Sequence, residues 1–271
     1  MNTEKYQEKL ANAPKVRISS IVIIIALTLI VFVSVATTEL PEPQSEASIN
    51  AANNVVRGIL HPSADKLLSF GVDGVPYLIL ETMAIALLGT LLGSIFAIVP
   101  AILGASNFNS KMQVRIVRLC LNIIRTVPPI IYGLMFIRVT GPGPFAGVMT
   151  FSLTSIGMVA KLYIEALEEL DGGILEALDS VGASYWQKVA MGIIPQIRPN
   201  FISTAIYRYE INVKDAAVLG LVSAGGLGTE IILAQSEGRW NDLGAYILGL
   251  VILVFIVEHV STRIRTSLVS G

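Results

Sequence analysis

The sequence predicts an all-α integral membrane protein with six membrane-spanning helices and both ends in the cytoplasm. Three observations carry this. Apolar residues make up 53% of the chain and charged residues only 14%, against roughly 45–50% and about 25% in soluble domains. Mean hydropathy is +0.69. Apolar runs nearly free of charge recur along the chain, most of them close to the ~20 residues that cross a ~30 Å hydrocarbon layer. A formal net charge of −1 over 271 residues gives no general attraction to nucleic acid. The single cysteine, Cys120, excludes an intrachain disulfide, and two histidines leave little for a metal site.

The elements follow in chain order. Residues 1–18 form a cytoplasmic N-terminus. The first span, residues 19–38, carries no charge. Its apolar stretch exceeds the ~7–15 residues of a signal-peptide core, so Ser34-Val35-Ala36 reads as part of an uncleaved anchor. Residues 39–75 are polar, punctuated by proline and extracytoplasmic. Within them Ile49, Ala52, Val56, Ile59 and Leu60 can share one face of a short amphipathic helix, which either lies on the membrane or covers the bundle. The second span covers residues 82–110, just after Glu81. The third, 119–137, is interrupted only by Arg125. The fourth, 139–160, contains Gly141-Pro142-Gly143-Pro144, a turn, so its helix starts near Phe145. The fifth opens at Phe201, carries Arg208, Glu210, Lys214 and Asp215, and becomes apolar from Ala216 to Thr229. The sixth runs over 243–257, and residues 263–271 form a cytoplasmic tail.

The basic residues set the orientation, because cytoplasmic loops are enriched in Lys and Arg. With the N-terminus inside, twelve of the 19 fall in cytoplasmic segments and four outside. Omitting the polar fifth span would place Arg263 and Arg265 outside.

Several chemistries are missing. No lysine follows a glycine, so there is no G-K-[ST] phosphate loop, and ATP-driven transport would need another chain to hydrolyse ATP. There is no G-x-S-x-G elbow and no H-E-x-x-H motif. His61 and His259 have no partner nearby in sequence. No span carries the regular arginine series of a voltage sensor. The chain does not read as an enzyme.

Residues 165–200 are the most informative. Asp171-Gly172-Gly173 breaks the fourth helix. Ile174, Leu175, Leu178 and Val181 then recur at helical spacing, with Glu176 and Asp179 on another face. Gly182 is a stop. Ser184 opens a second helix, and Gln187 three residues on completes a capping box. Tyr185, Trp186, Val189 and Ile193 form its apolar stripe, and Pro195 ends it. The stripe either meets a partner or packs on the underside of the bundle.

The polar residues inside the spans allow two readings. Arg208, Glu210, Lys214 and Asp215 sum to zero charge, Glu210 precedes Lys214 by the favourable four residues, and Arg208 stands four before Asn212. They either lock the fifth helix to its neighbours or line a cavity whose cations ease an anion through. Arg125, about 10 Å past Arg118 along the third helix, either faces such a cavity or snorkels to the headgroups. Gly220, Ser223, Gly225, Gly226 and Gly228 bring small residues to one stretch, for tight packing or for a gate in the outer half of the fifth span.

Glu176-Ala177-Leu178, then Gly182, then Ile194-Pro195 resembles the EAA loop of ABC importer permeases: E-A-A, three residues, G, nine residues, I-x-L-P. Leu178 departs from the second alanine, Gly192 from the usual isoleucine, and Ile194 replaces the leucine. The resemblance implies a coupling loop docking into a groove of an ATPase subunit, with Glu176, Ala177 and Gly182 carrying the contact. Gly182-Ala-Ser-Tyr-Trp-Gln187, Pro195-Gln196, Tyr207-Arg-Tyr-Glu-Ile-Asn212 and Val218-Leu-Gly-Leu-Val-Ser-Ala-Gly-Gly-Leu-Gly228 resemble the phosphonate/phosphite branch. So do Ile124-Arg-Thr-Val-Pro128, Gly143-Pro-Phe-Ala-Gly147 and Lys161-Leu-Tyr-Ile-Glu165. Pro129, Lys214 and Ser223 depart from it, and these bear on substrate preference.

The resemblance covers residues 76–262, which it makes the permease core. It implies the transmembrane subunit of a type I ABC importer for phosphonate or phosphite in a bacterial plasma membrane. The implied partners are a second copy of the chain, two ATP-binding subunits at the cytoplasmic face and an extracytoplasmic phosphonate-binding protein. ATP and Mg belong to the ATPase, and no cofactor belongs to this chain. For an anionic cargo, Arg125, Arg208 and Lys214, softened by Glu210, suit a transit path. The alternatives are a permease of the same superfamily for methionine or another small solute, and a channel or secondary carrier working without an ATPase.

Overall fold

The computed structural model describes residues 18–38 and 46–270. The cytoplasmic reading of residues 1–18 therefore falls almost wholly outside the described residues, as does the stretch 39–45. Every described element is helical, and the chain divides into two units, residues 1–51 and 52–271.

The first unit holds α1 (Ile18–Thr37), 20 residues without charge. Its described side chains are exposed. Thr28 and Thr37 donate their hydroxyls to carbonyls one turn back, Ile24 O and Val33 O, each at 2.8 Å. Such back-bonding is how a threonine within a helix satisfies its own hydroxyl.

α2 (Glu46–Leu60) crosses the boundary between the units. Its C-terminal part packs against the last helix of the second unit: Gly58 lies against Trp240, and Asn241 donates to His61 O at 2.7 Å. Of the expected apolar face, Val56 and Leu60 stay exposed and Ile59 is partly buried, and Gly58 beside it makes the contact. A short α3 (Ala64–Leu68) follows.

α4 (Val75–Gly104) is one long span with a proline in its first turn, where the missing N–H costs nothing. It starts and ends earlier than the expected 82–110, so Glu81 lies within it. Asn109 ends it by donating to Ile102 O (2.6 Å) and Ala105 O (3.0 Å), which satisfies carbonyls left open at a helix C-terminus.

The expected continuous third span is broken. α5 (Lys111–Thr126) and α6 (Pro129–Thr140) meet at 84°. Pro128 and Pro129 remove two N–H donors, and Val127 is held extended, as the residue before a proline must be. Tyr132 bridges the break by donating to Ile124 O at 3.1 Å.

α7 (Pro144–Glu168) opens beside the expected start but runs eight residues past Ala160. It packs closely on α4, where a Cβ on Gly93 would lie 2.7 Å from Ser152 O, the small-residue approach typical of membrane helices.

α8 (Gly172–Ser180) and α9 (Tyr185–Lys188) make the loop, followed by one π-turn at Val189–Ile193. α10 (Ile194–Leu219) comes next. Pro195 therefore does not end the second loop helix; it sits in the first turn of α10, where proline is well tolerated. A 3-10 turn at Gly220–Val222 leads to α11 (Gly226–Ser236), and the two parts bend by 41°. The fifth apolar run thus extends beyond 201–229 at both ends. α12 (Trp240–Ser270) also outruns 243–257 and contains most of the expected tail.

Among the described residues, α4, α7 and α12 are each long and apolar enough to cross a membrane, and two bent pairs, α5–α6 and α10–α11, qualify as pairs. One core, around Phe151, Val213, Leu227 and Tyr246, joins α4, α7, α10, α11 and α12. A second, around Val159, Tyr163 and Leu167, joins α4, α5 and α7.

Candidate functional site

The loop is built from local bonds. Asp171 caps α8 by accepting the Gly173 N–H at 2.8 Å. Its own N–H donates to Gln196 Oε1 at 2.9 Å, and Gln196 donates to Gly192 O at 2.9 Å, tying the loop to the start of α10. α8 ends in a Schellman motif: Ala183 N–H reaches Leu178 O and Gly182 N–H reaches Asp179 O, each at 3.0 Å. Gly182 has φ +74, a left-handed conformation that costs other residues roughly 1–2 kcal/mol. Ser184 N–H donates to Gln187 Oε1 at 2.8 Å in the capping box. Lys188 pairs with Asp179 at 2.7 Å, closing α9 onto α8.

The two departures from the EAA pattern meet in space. A Cβ built on Gly192 would lie 2.9 Å from Leu175 Cδ2 and 2.9 Å from Leu178 Cδ1. The extra bulk at 178 occupies the room vacated at 192. Glu176 and Ala177 face outward. The apolar stripe splits: Val189 and Ile193 turn toward the chain, whereas Tyr185, Trp186 and Val181 are bare, Trp186 at 76% exposure. Packing on the bundle's own underside is thus not where Tyr185 and Trp186 go.

The intramembrane charges separate into two groups rather than one cluster. Arg208, only 6% exposed, donates to Ser155 Oγ (3.0 Å), Thr154 Oγ1 (2.9 Å) and Met158 Sδ (3.3 Å). Asn212, one turn on, donates to Thr90 Oγ1 (2.8 Å) and Ser155 Oγ (3.1 Å). Its Oδ1 is buried without a hydrogen-bond partner among the described residues. These bonds knit α4, α7 and α10 together. Glu210 and Lys214 point the other way, to α12. Lys214 bridges Glu210 (3.0 Å) and Glu258 (2.9 Å), and Arg265 binds Glu210 at 3.1 Å. The pairing of Glu258 and Arg265 with this group escaped the sequence reading; its signal is a seven-residue spacing on one face of the last helix. Arg125 joins neither group. It is exposed, with its stem against Gly157 of α7.

The bend between α10 and α11 is fixed from a distance. Ser223 and Gly225 take φ of +53 and +87. Ser223 O accepts from Gly143 N–H at 2.9 Å. At the N-terminus of α11, Gly226 N–H donates to Glu81 Oε2 and Leu227 N–H to Thr82 Oγ1, both at 2.9 Å. A carboxylate there also meets the positive end of the helix dipole. A Cβ on Gly226 would lie 2.5 Å from Thr82 Oγ1, and one on Gly220 would run into the backbone of Gly228. Glu81 is a further residue the sequence reading passed over; its signal is a lone carboxylate at the mouth of an apolar run. Among the described residues no group of His, Cys, Asp and Glu is arranged to hold a metal.

Comparison with known proteins places this geometry. A family model described as "Binding-protein-dependent transport system inner membrane component" matches residues 89–270. A phosphite transport system permease protein of Stutzerimonas stutzeri is 33% identical over 188 residues, covering 69% of this chain and 68% of that protein. A phosphate-import permease protein of Mycolicibacterium smegmatis is 32% identical over 190 residues, 70% of this chain but 36% of the relative. Among solved structures, an inward-facing methionine ABC transporter superposes with TM-score 0.59 at 22% identity, covering 83% of this chain and 99% of that one, which is a likeness of fold.

Proposed function

This chain belongs to the family of binding-protein-dependent transport system inner membrane components, and on that premise we propose that it is the permease subunit of an ABC importer for phosphite, phosphonate or a related oxyanion. It is not an enzyme; ATP hydrolysis belongs to a separate subunit. Two copies surround one path. Two ATPase subunits holding ATP and Mg sit below, and an oxyanion-binding protein delivers cargo from outside a bacterial plasma membrane. Six spans, α1, α4, α5–α6, α7, α10–α11 and α12, place both termini and the α8–α9 loop in the cytoplasm. Closure of the ATPase pair pushes the loop, the push passes directly into α7 and α10, and the path alternates between its two openings.

The observation that carries this is the loop itself: a capped, ion-paired helix pair presenting Glu176, Ala177, Tyr185 and Trp186, which stay exposed among the described residues. A lever must be stiff, and an apolar surface held rigidly in water calls for a partner. The test is ATP-driven uptake by the reconstituted complex with its ATPase and binding protein. Phosphite or phosphonate is expected to accumulate only with hydrolysable ATP, and Glu176→Ala to abolish coupling while the complex stays inserted. Uptake persisting without the ATPase would convert the reading to a channel or carrier. Accumulation of methionine and no oxyanion would move it to the methionine branch.

A further inference from the structure

α5 has two exposed faces of opposite character. Met112, Ile116, Leu119 and Ile123 form an apolar stripe, each more than half exposed. Beside it, at the same helical spacing, run Arg115, Arg118, Asn122 and Arg125. The apolar stripe suits acyl chains. The polar stripe, about 10 Å long from Arg118 to Arg125, does not, because guanidinium and amide groups in hydrocarbon have nothing to bond. It must face water.

Opposite the polar stripe stands α7. Arg125 lies against Gly157, and the next turns of α7 bring Lys161, Glu165 and Glu168 alongside. Between the helices is a cavity of about 230 Å³ whose polar lining is Arg118, Asn122, Lys161, Glu165 and Glu168. Arg118 is committed: it holds Glu168 at 2.5 Å and donates to Gly104 O at 3.1 Å. Lys161 is only loosely held, 3.5 Å from an exposed Glu165. Asn122, Arg115 and Arg125 make no hydrogen bond or ion pair among the described residues. The cavity lining thus has two cations, Arg118 and Lys161, against two carboxylates, one unused amide, and one lysine whose carboxylate partner is easily exchanged; Arg115 and Arg125 stand on the same stripe of α5 outside the lining.

Resting on the importer reading above, we infer that this groove between α5 and α7 is an oxyanion station on the inner half of the path, in which Asn122 and Lys161 receive the phosphoryl oxygens and Arg125, about one turn beyond the lining, adds positive charge. Lys161 releases Glu165 to take the anion and returns to it when the anion leaves, so the site never holds a bare cation pair strong enough to trap cargo. The deeply buried Arg208, bonded to Ser155, Thr154 and Met158, plays no part in it.

The same donors fit a free oxyanion or the phosphate of a lipid headgroup, and the test separates them. The complete complex is reconstituted in phosphatidylcholine alone and in phosphatidylcholine with an anionic lipid, and phosphite uptake is measured per ATP hydrolysed. Asn122→Leu and Lys161→Gln are expected to lower it about threefold to tenfold in both bilayers, as for loss of one charge-assisted contact in a part-solvated groove. Lys161→Arg is expected to restore it, which separates charge from misfolding. Inorganic phosphate on the ATPase side is expected to slow wild-type uptake more than that of Lys161→Gln. Variants matching wild type would overturn the station, as would an effect confined to the anionic bilayer, which would mark a headgroup site. If wild type accumulates no oxyanion, the substrate reading falls and the station with it; if wild type accumulates phosphite and the variants keep pace, only the station falls.

Discussion

The α8–α9 loop and the α10–α11 bend are both breaks in helix, yet they are held in opposite ways. The loop is fixed mostly by bonds between residues a few positions apart: Asp171 to Gly173, Leu178 to Ala183, Ser184 to Gln187, Asp179 to Lys188. The bend has short-range bonds of its own, Ser223 N–H to Gly220 O and Gly225 N–H to Thr229 Oγ1, but is tied as well to Glu81 and Thr82 of α4 and to Gly143 before α7, far away in sequence. A locally bonded element keeps its shape while it moves as a body, which suits a lever. A remotely bonded one changes shape whenever its neighbours move, which suits a point of rearrangement.

Breaking the two regions should therefore give different failures. The largest effect is expected at Gly220→Val in the bend, where the new side chain meets the Gly228 backbone. Overpacking by at least about 3 kcal/mol should abolish a monodisperse membrane-extracted complex, read by size exclusion after detergent extraction. Gly182→Ala in the loop should cost only about 1–2 kcal/mol and leave insertion intact while slowing uptake. Next is Glu81→Ala, which strips the acceptor from the Gly226 N–H; a loss of about 1–3 kcal/mol is expected in thermal unfolding, with Glu81→Gln, which keeps an acceptor oxygen, intermediate. A wild-type melting curve for Glu81→Ala would mean the bend does not depend on α4.

Smaller still is the exchange within the loop. Leu178→Ala leaves a gap and Gly192→Ile overfills the same spot, so each alone should lower uptake and stability. The double variant should recover about 1 kcal/mol or more relative to the sum of the two. Simple additivity would show that 178 and 192 do not share that space. The smallest effect lies outside the spans. The Lys66 ammonium, hydrogen-bonded to Asp73, holds the Asp73 carboxyl below its usual range. A depressed carboxyl stabilises the fold above its unfolded value, so this contribution should fade as pH falls through the lowered one. Asp73→Asn should flatten that acid limb of the stability profile slightly, as suits an exposed pair.

The same contrast accounts for what could be read from the chain. Gly182, Ser184 and Gln187 announced the loop because caps are local chemistry. The start of α7 followed equally from Gly143-Pro144. The 84° break of α5–α6 lay in plain view as Pro128-Pro129, but a hydropathy window averages across it. The bend at Ser223–Gly225 and the long-range partners of Glu210 and Lys214 were not legible, because Glu81, Arg265 and Glu258 reach them only through the fold. Arg208 and Asn212, read as one face, do share Ser155; Lys214 pairs with Glu210 and also reaches Glu258 of α12.

The mutual accommodation of Leu178 and Gly192 bears on how this lever can be exchanged between transporters. A walk toward the commoner motif by one codon at a time passes through a loop that is either hollow or jammed. Grafts onto another permease should move the stretch from Asp171 to Gln196 as a cassette, since its two ends are also joined to each other.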